Sequence, residues 1–271
     1  MKFEYSKLRA SFQRFLATHR RNPVAHRGAQ VCRYLARGFE NFNNYDFDSN
    51  GEADVLKNLA GQGFTTIFDV GANIGTWARM AGLFFPEAII HCFEPVPDAC
   101  RLLGETVKSM PGVVVNPFGL AETSGSKEFK HYPTDLGKSS LVDYPHPLPS
   151  DHLACPMMTG DEYLAANGIE QVDFLKMDVE GAEHLVLAGF KNAFEQGRVR
   201  VVQFEYGFIN IITKFLLADF YRFFEEHGYL VGKIYPRYVE FRTYSFDHED
   251  FIGPNYLAVH RDSQELIGFL A

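Results

Sequence analysis

The sequence has no apolar run approaching the roughly 18–20 residues that a membrane span requires. Arg and Lys interrupt its first residues throughout, so no signal-peptide apolar core is read there, and a cytoplasmic setting is the expectation. Cysteine is scarce: Cys32, Cys92, Cys100 and Cys155 form no CxxC pair and no dense framework, which points to reduced, mostly buried thiols. Internal repeats and low-complexity tracts are missing too. Basic residues are the minority, 26 Lys+Arg against 34 Asp+Glu, giving a net charge of -8 and a pI near 5.7. That excludes a general nucleic-acid coat. What remains is ordinary for a globular protein: 46% hydrophobic, 22% charged and 15% aromatic over 271 residues. Wholesale disorder, collagen and coiled coil are excluded, and the length suits one large domain or two small ones.

Charge is unevenly spread. Residues 1–40 carry Lys2, Lys7, Arg9, Arg14, Arg20, Arg21, Arg27, Arg33 and Arg37 against only Glu4 and Glu40, so the rest of the chain is strongly acidic. A solvated helix face explains this, as does a docking face for an acidic partner or membrane surface. The segment also fits a lid or a dimer arm, hence a homo-oligomer. Residues 1–42 read as helix, with Phe3, Leu8, Phe12, Phe15 and Leu16 near helical spacing, and 53–59 as a further short helix. The expected division is an N-terminal helical extension over 1–60 and a main domain over 61–271.

From Thr65 the pattern changes. β-Branched apolar runs at 65–70, 88–93, 113–115, 173–178 and 199–205 alternate with helical stretches at 76–85, 98–110, 161–167, 181–195 and 214–227. Two late strands follow at 229–235 and 256–260. This rhythm predicts α/β architecture: a doubly wound, mostly parallel, Rossmann-like sheet of six or seven strands. Residues 131–156 carry Pro133, Pro145, Pro147, Pro149 and Pro156 and read as a long irregular substrate or lid loop.

The strongest chemical signal is Asp69-Val70-Gly71-Ala72-Asn73-Ile74-Gly75, directly after a strand. Glycines let the backbone turn tightly and approach a ligand, and the next helix points N–H groups over the turn. The dinucleotide pattern G-x-G-x-x-G is broken at Asn73, which argues against a nucleotide-dependent oxidoreductase. An acid opening the turn repels a pyrophosphate but attracts an ammonium group. That favours S-adenosylmethionine, with Asp69, Gly71, Asn73 and Gly75 as cofactor-binding candidates. Glu94, 19 residues beyond Gly75 at the end of the second strand, suits both hydroxyls of a ribose.

At these residues the chain resembles the FkbM-type family of S-adenosylmethionine-dependent methyltransferases, over roughly residues 45–208. The resemblance is carried by Asn50-Gly51-Glu52, the 68–75 turn, Phe93-Glu94-Pro95, Ser139-Ser140-Leu141 and Met158-Thr159-Gly160-Asp161. The stretch 175–183, read as Lys-x-Asp-x-Glu-Gly-Ala-Glu from Lys176, and Val202-Gln203-Phe204-Glu205 complete it. Gly160 departs from the family's usual Leu, which is expected to loosen packing before the next helix. The resemblance implies a Rossmann-like class I methyltransferase fold and methyl transfer, commonly to a hydroxyl of a sugar or polyketide. The acceptor is therefore expected to be a small molecule, with nucleic acid and membrane spans outside the picture. It also implies a cofactor contact for Ser139 and Ser140.

Asp69, Glu94, Asp178 and Glu205 all end strands, where the ligand crevice of a parallel sheet lies. Asp178 or Glu180 is expected as general base, with Glu205 positioning the acceptor and Asp178 also counted among the cofactor-binding residues. In the other use of these side chains, Asp178 and Glu205 ligate a divalent cation such as magnesium. Glu183 reads as a favourable charge at a helix start and His184 as a surface side chain. His131 and His146 could reach an acceptor if the proline-rich loop closes. Lys138 is a polar-turn residue or a cofactor contact. Tyr206 is a candidate pocket residue, and Tyr235, Tyr238 and Tyr244 a stacking surface. An amine acceptor, or a binding module without turnover, stands as the alternative.

Overall fold

Pro23 shapes the first unit. In the computed structural model, which describes residues 2–253 and 255–271, the basic segment forms two helices, α1 (Lys2–Thr18) and α2 (Pro23–Phe39). A continuous helix was expected, but proline cannot sit inside one and is well placed at the first turn. Asn22 caps α2, its side chain accepting the N–H groups of Val24 (2.9 Å) and Ala25 (3.3 Å). The chain divides into residues 1–42 and 43–271, earlier than the expected boundary at residue 60. The cause is α3 (Glu52–Leu59), whose Val55, Leu56 and Leu59 are buried in the second unit's core.

The second unit runs β1 (Thr66–Val70), α4 (Thr76–Phe84), β2 (Ile89–Phe93), α5 (Pro97–Val107) and β3 (Val113–Asn116). Next come β4 (Gly119–Leu120), β5 (Gly125–His131), β6 (Asp151–Met158), α6 (Gly160–Asn167), β7 (Val172–Met177), α7 (Glu183–Gly189) and α8 (Lys191–Glu195). The chain closes with β8 (Val199–Glu205), α9 (Asn210–Thr213), α10 (Leu217–Glu226), β9 (Tyr229–Tyr235), β10 (Tyr238–Phe241), β11 (Asn255–His260) and α11 (Gln264–Leu270). Among the described residues eight strands form one sheet in the order β10-β9-β11-β8-β7-β1-β2-β3. The run β8-β7-β1-β2-β3 is parallel, and β11 is antiparallel to both its neighbours. This is the doubly wound, Rossmann-like α/β fold.

Strand alternation assigns each side chain to a face. Phe68, Val70, Leu175 and Phe204 enter the core with Phe190, Phe220 and Phe224 from α8's cap and α10. Ile67, Phe174 and Val201 enter the opposite core with Leu56, Trp77, Leu103 and Leu266 from α3, α4, α5 and α11. Asp69, Lys176 and Gln203 share that second parity, so a polar layer runs through the second face near the strands' carboxyl ends.

Two expectations fail between β4 and α6. The irregular loop covers 132–150, not 131–156, because Asp151–Met158 pairs along the whole of β5. Pro156 lies where β6 has only β5 beside it, an edge position that tolerates a missing donor. Strands β4, β6 and β5 make a second, three-stranded sheet that the proline content concealed. Gly160 does not loosen packing. A Cβ there would lie 2.3 Å from the Phe190 ring, so the glycine admits that ring against the start of α6.

Candidate active site

A cavity of about 560 Å³ opens at the carboxyl ends of the adjacent strands β8, β7, β1 and β2. Gly71, Asn73, Glu94, Asp178, Glu180 and Glu205 line it, with Ser139 and Ser140 from the 132–150 loop. Of the predicted site residues, Asp69 and Gly75 stand behind the wall.

The glycine turn is interlocked with the neighbouring strand. Gly71 has φ +80°, and a Cβ there would lie 1.9 Å from the Asp178 carbonyl oxygen. Asp178 N–H donates to the Val70 carbonyl (3.0 Å), while Gly71 and Ala72 N–H donate to the Phe93 carbonyl (3.0 and 3.1 Å). The ends of β7, β1 and β2 are thus tied through one glycine. Gly75 caps α4 just beyond.

Glu94 is clamped. Its Oε2 accepts Asn73 N–H and its Oε1 accepts Val96 N–H, each at 2.8 Å. Burial still pushes its pKa up to about 7, against the pull of those two donors. The buried Asn73 Oδ1, also in the wall, has no hydrogen-bond partner among the described residues.

Asp69 does not face the cavity. It is fully buried, and its Oδ1 lies 3.4 Å from Lys176 Nζ, which also reaches Asp178 Oδ2 at 3.0 Å. Burial would lower the Lys176 pKa, but the charges of Asp178 and Asp69 outweigh it and hold the ammonium. The acid opening the turn is therefore neutralised from below, on the face its strand parity dictates. Its other oxygen, Oδ2, is buried without a hydrogen-bond partner among the described residues.

Beyond β7 the backbone turns through Glu180 (φ +52°) and Gly181 (φ +92°), an unusual conformation for a glutamate that aims it over the cavity. Burial, then the charges of Asp178 and Glu183, raise the Glu180 pKa; burial and the charges of Asp178, Glu180 and Glu183 raise that of Glu205. Glu180 and Glu205 cannot both ionise beside these charges without mutual cost, which favours the protonated form of each. Glu183 begins α7 as expected and also braces the turn. It is 1% exposed, its Oε1 accepts Val179 N–H (3.2 Å) and Gly181 N–H (3.4 Å), and burial lifts it to about 7.

The serines fasten the loop. Ser140 Oγ donates to the Glu180 carbonyl (2.8 Å) and accepts Val142 N–H (2.9 Å); Ser139 Oγ accepts Tyr132 N–H (3.1 Å). The Ser140 hydroxyl proton is therefore spent on the turn that carries Glu180. His146 and Lys138 line the cavity; His131 instead pairs with Asp151 (2.8 Å), and His184 stacks on Phe215. Tyr206 reaches the wall with its hydroxyl donating to Glu249 (2.7 Å). Tyr235 and Tyr238 stack on each other and Tyr244 bonds Glu249, so none of these three forms a surface in the cavity.

Sequence reasoning gave no role to Glu52, Lys176 or Tyr45. Glu52 lines the cavity and accepts Asn50 Nδ2 (2.7 Å) and Gln203 Nε2 (2.6 Å). Polar Gln203 and Lys176 within apolar strands were the available signal. Tyr45 lies before α3 and lines the cavity. No group of three or more His, Cys, Asp or Glu side chains among the described residues is arranged to hold a metal ion.

Residues 69–231 match the family profile of the Methyltransferase FkbM domain. The hexuronic acid methyltransferase AglP of Haloferax volcanii is 29% identical over 163 residues, 59% of this chain and 65% of that protein. The 2-O-methyltransferase NoeI of Sinorhizobium fredii is 27% identical, over 49% of this chain and 60% of that protein. The 31-O-demethyl-FK506 methyltransferase FkbM of Streptomyces tacrolimicus is 26% identical, over 50% and 63%. The chain thus spans less than two thirds of the length of each of these relatives. A crystal structure of an FkbM methyltransferase from Methylobacillus flagellatus aligns at 15% identity with a TM-score of 0.47, covering 72% of this chain and 43% of that one. The profile takes in the Gly71 turn, the Glu94 clamp and the β7 and β8 acids together, and on that match the chain belongs to the FkbM family of methyltransferases.

Proposed function

We propose that the chain transfers a methyl group from S-adenosylmethionine to a hydroxyl oxygen of a small molecule, a sugar or a polyketide-like compound. The observation that carries this is the placement of Asp178, Glu180 and Glu205 beside the Gly71 turn and the clamped Glu94, in one cavity. The donor set fits the cofactor. Each Glu94 oxygen accepts one backbone N–H and keeps a lone pair for a ribose hydroxyl. The partnerless Asn73 Oδ1 is an acceptor in the same wall. The acid-rich lining suits a cation. Names of the relatives supply the acceptor class: two specify an oxygen and one a hexuronic acid.

When bound, the cofactor supplies a methyl on a positively charged sulfur; the protein's task is alignment and proton removal. Glu94 accepts the ribose hydroxyls and the Gly71 turn admits the nucleoside without a side chain in the way. Glu180, its pKa raised towards the working range, takes the acceptor's hydroxyl proton. Glu205 accepts a hydrogen bond from the acceptor and orients it. Asp178, held by Lys176, keeps the negative field beneath the reacting atoms. Ser140 holds the loop on the Glu180 carbonyl and so keeps that carboxyl in place. If a divalent cation such as magnesium takes part, Asp178 and Glu205 are the pair to hold it, and turnover would then fall on EDTA treatment. Calorimetry with S-adenosylhomocysteine tests the reading. Micromolar or tighter binding that Glu94→Ala weakens is expected, and no binding at all would end it.

A further inference from the structure

Helix α2 exposes a stripe that its own unit leaves uncovered. Val24, Val31, Leu35 and Phe39 follow one another at spacings of seven, four and four, one face of a helix, and are 57% to 82% exposed. His26, Gln30, Arg33 and Arg37 take the opposite face, and Arg27 stands at one edge of the stripe. In α1, Leu8, Phe12, Phe15 and Leu16 repeat the pattern, each at least 42% exposed. Between Glu4 and Glu40 there is no acidic residue. Where the two helices meet, Arg20, Arg21, His26 and Arg27 line a shallow cleft.

We infer that residues 7–39 lie on an anionic phospholipid surface, α2 burying its apolar stripe at the acyl boundary while the arginines engage headgroup phosphates. Charge decides the occupant. A second copy meeting it stripe to stripe would bring two strongly basic units together without an acid between them. A nucleic acid would use the arginines but leave four large apolar side chains of α2 in water. An anionic bilayer engages both features. Among the described residues no helix is long and apolar enough to cross a membrane, so α2, about 25 Å long, lies in the interface.

The test is flotation of the full chain with phosphatidylcholine vesicles, with and without phosphatidylglycerol. Binding is expected to the phosphatidylglycerol vesicles and to fall with added salt. Arg20→Ala and Arg27→Ala should each weaken it about fivefold, and the pair Leu35→Glu, Phe39→Glu by about tenfold or more. Those four positions are exposed, so circular dichroism should report unchanged folding. Three outcomes overturn the inference: no flotation on phosphatidylglycerol vesicles; equal flotation of the Leu35→Glu, Phe39→Glu protein; or duplex DNA displacing the vesicles. A dimer by light scattering that the same pair converts to monomer, without vesicle binding, overturns it in favour of a second copy.

Discussion

Glu94 at the end of β2 and the acids after β7 and β8 share one cavity but are held by opposite means. Glu94 has a backbone N–H on each oxygen and a fixed position. Glu180 sits on a left-handed backbone among like charges, with no backbone donor to offset its desolvation. A carboxylate held by donors is a recognition element, shaped before the ligand arrives. One crowded by other carboxylates is poised to exchange a proton. On the proposed function, the β1–β2 side of the cavity serves binding and the β7–β8 side chemistry.

Separating those two kinds of loss would break or sharpen the contrast. The largest expected effect is Glu180→Gln: turnover falls about 10²–10⁴-fold, while S-adenosylhomocysteine affinity by calorimetry stays within about twofold. Equal losses in both would erase the division. Gly71→Ala comes next, since its Cβ meets the Asp178 carbonyl at a positive φ. A destabilisation of about 3 kcal/mol or more in a urea melt is expected, with binding and turnover lost together.

Glu183→Gln tests the buried acids as a cost to the fold. The wild-type group is ordinarily near 4.5 and is raised to about 7 when folded. The unfolded chain therefore releases its proton first, and stability declines as pH rises from about 4.5 to about 7. The variant should flatten that slope by at most about 3 kcal/mol. Glu94→Ala should weaken cofactor binding by about 1–3 kcal/mol with a smaller change in turnover at saturation. Wild-type affinity should also fall as pH drops below about 7, where Glu94 takes up its proton. The smallest effect is Ser140→Ala, about 1 kcal/mol of stability and a modest loss of turnover, from releasing the Glu180 carbonyl.

Much of this was legible in the residues. The β-branched runs, the turn after Val70 and the acids at strand ends predict the parallel sheet and its crevice because local pattern alone determines them. That Asp69 lies behind the cavity wall was harder to read, because a strand-end acid can point to either face. The apolar neighbours Phe68 and Val70, with Lys176 at matching parity, carried the answer. Glu52 could not be placed, since its role depends on α3 meeting β8 across most of the sequence. The β5–β6 pairing was hidden by the prolines of the loop between the strands and by Pro156, which sits at an edge where it does little harm. Asn22-Pro23 was the opposite case: a helix start in plain view that apolar spacing overrode.

The contact between Gly160 and Phe190 couples two positions thirty residues apart. A leucine at 160 meets the ring at 190, so room for one is gained by shrinking the other. Gly160→Leu alone should unfold readily, while Gly160→Leu with Phe190→Ala should recover much of the loss.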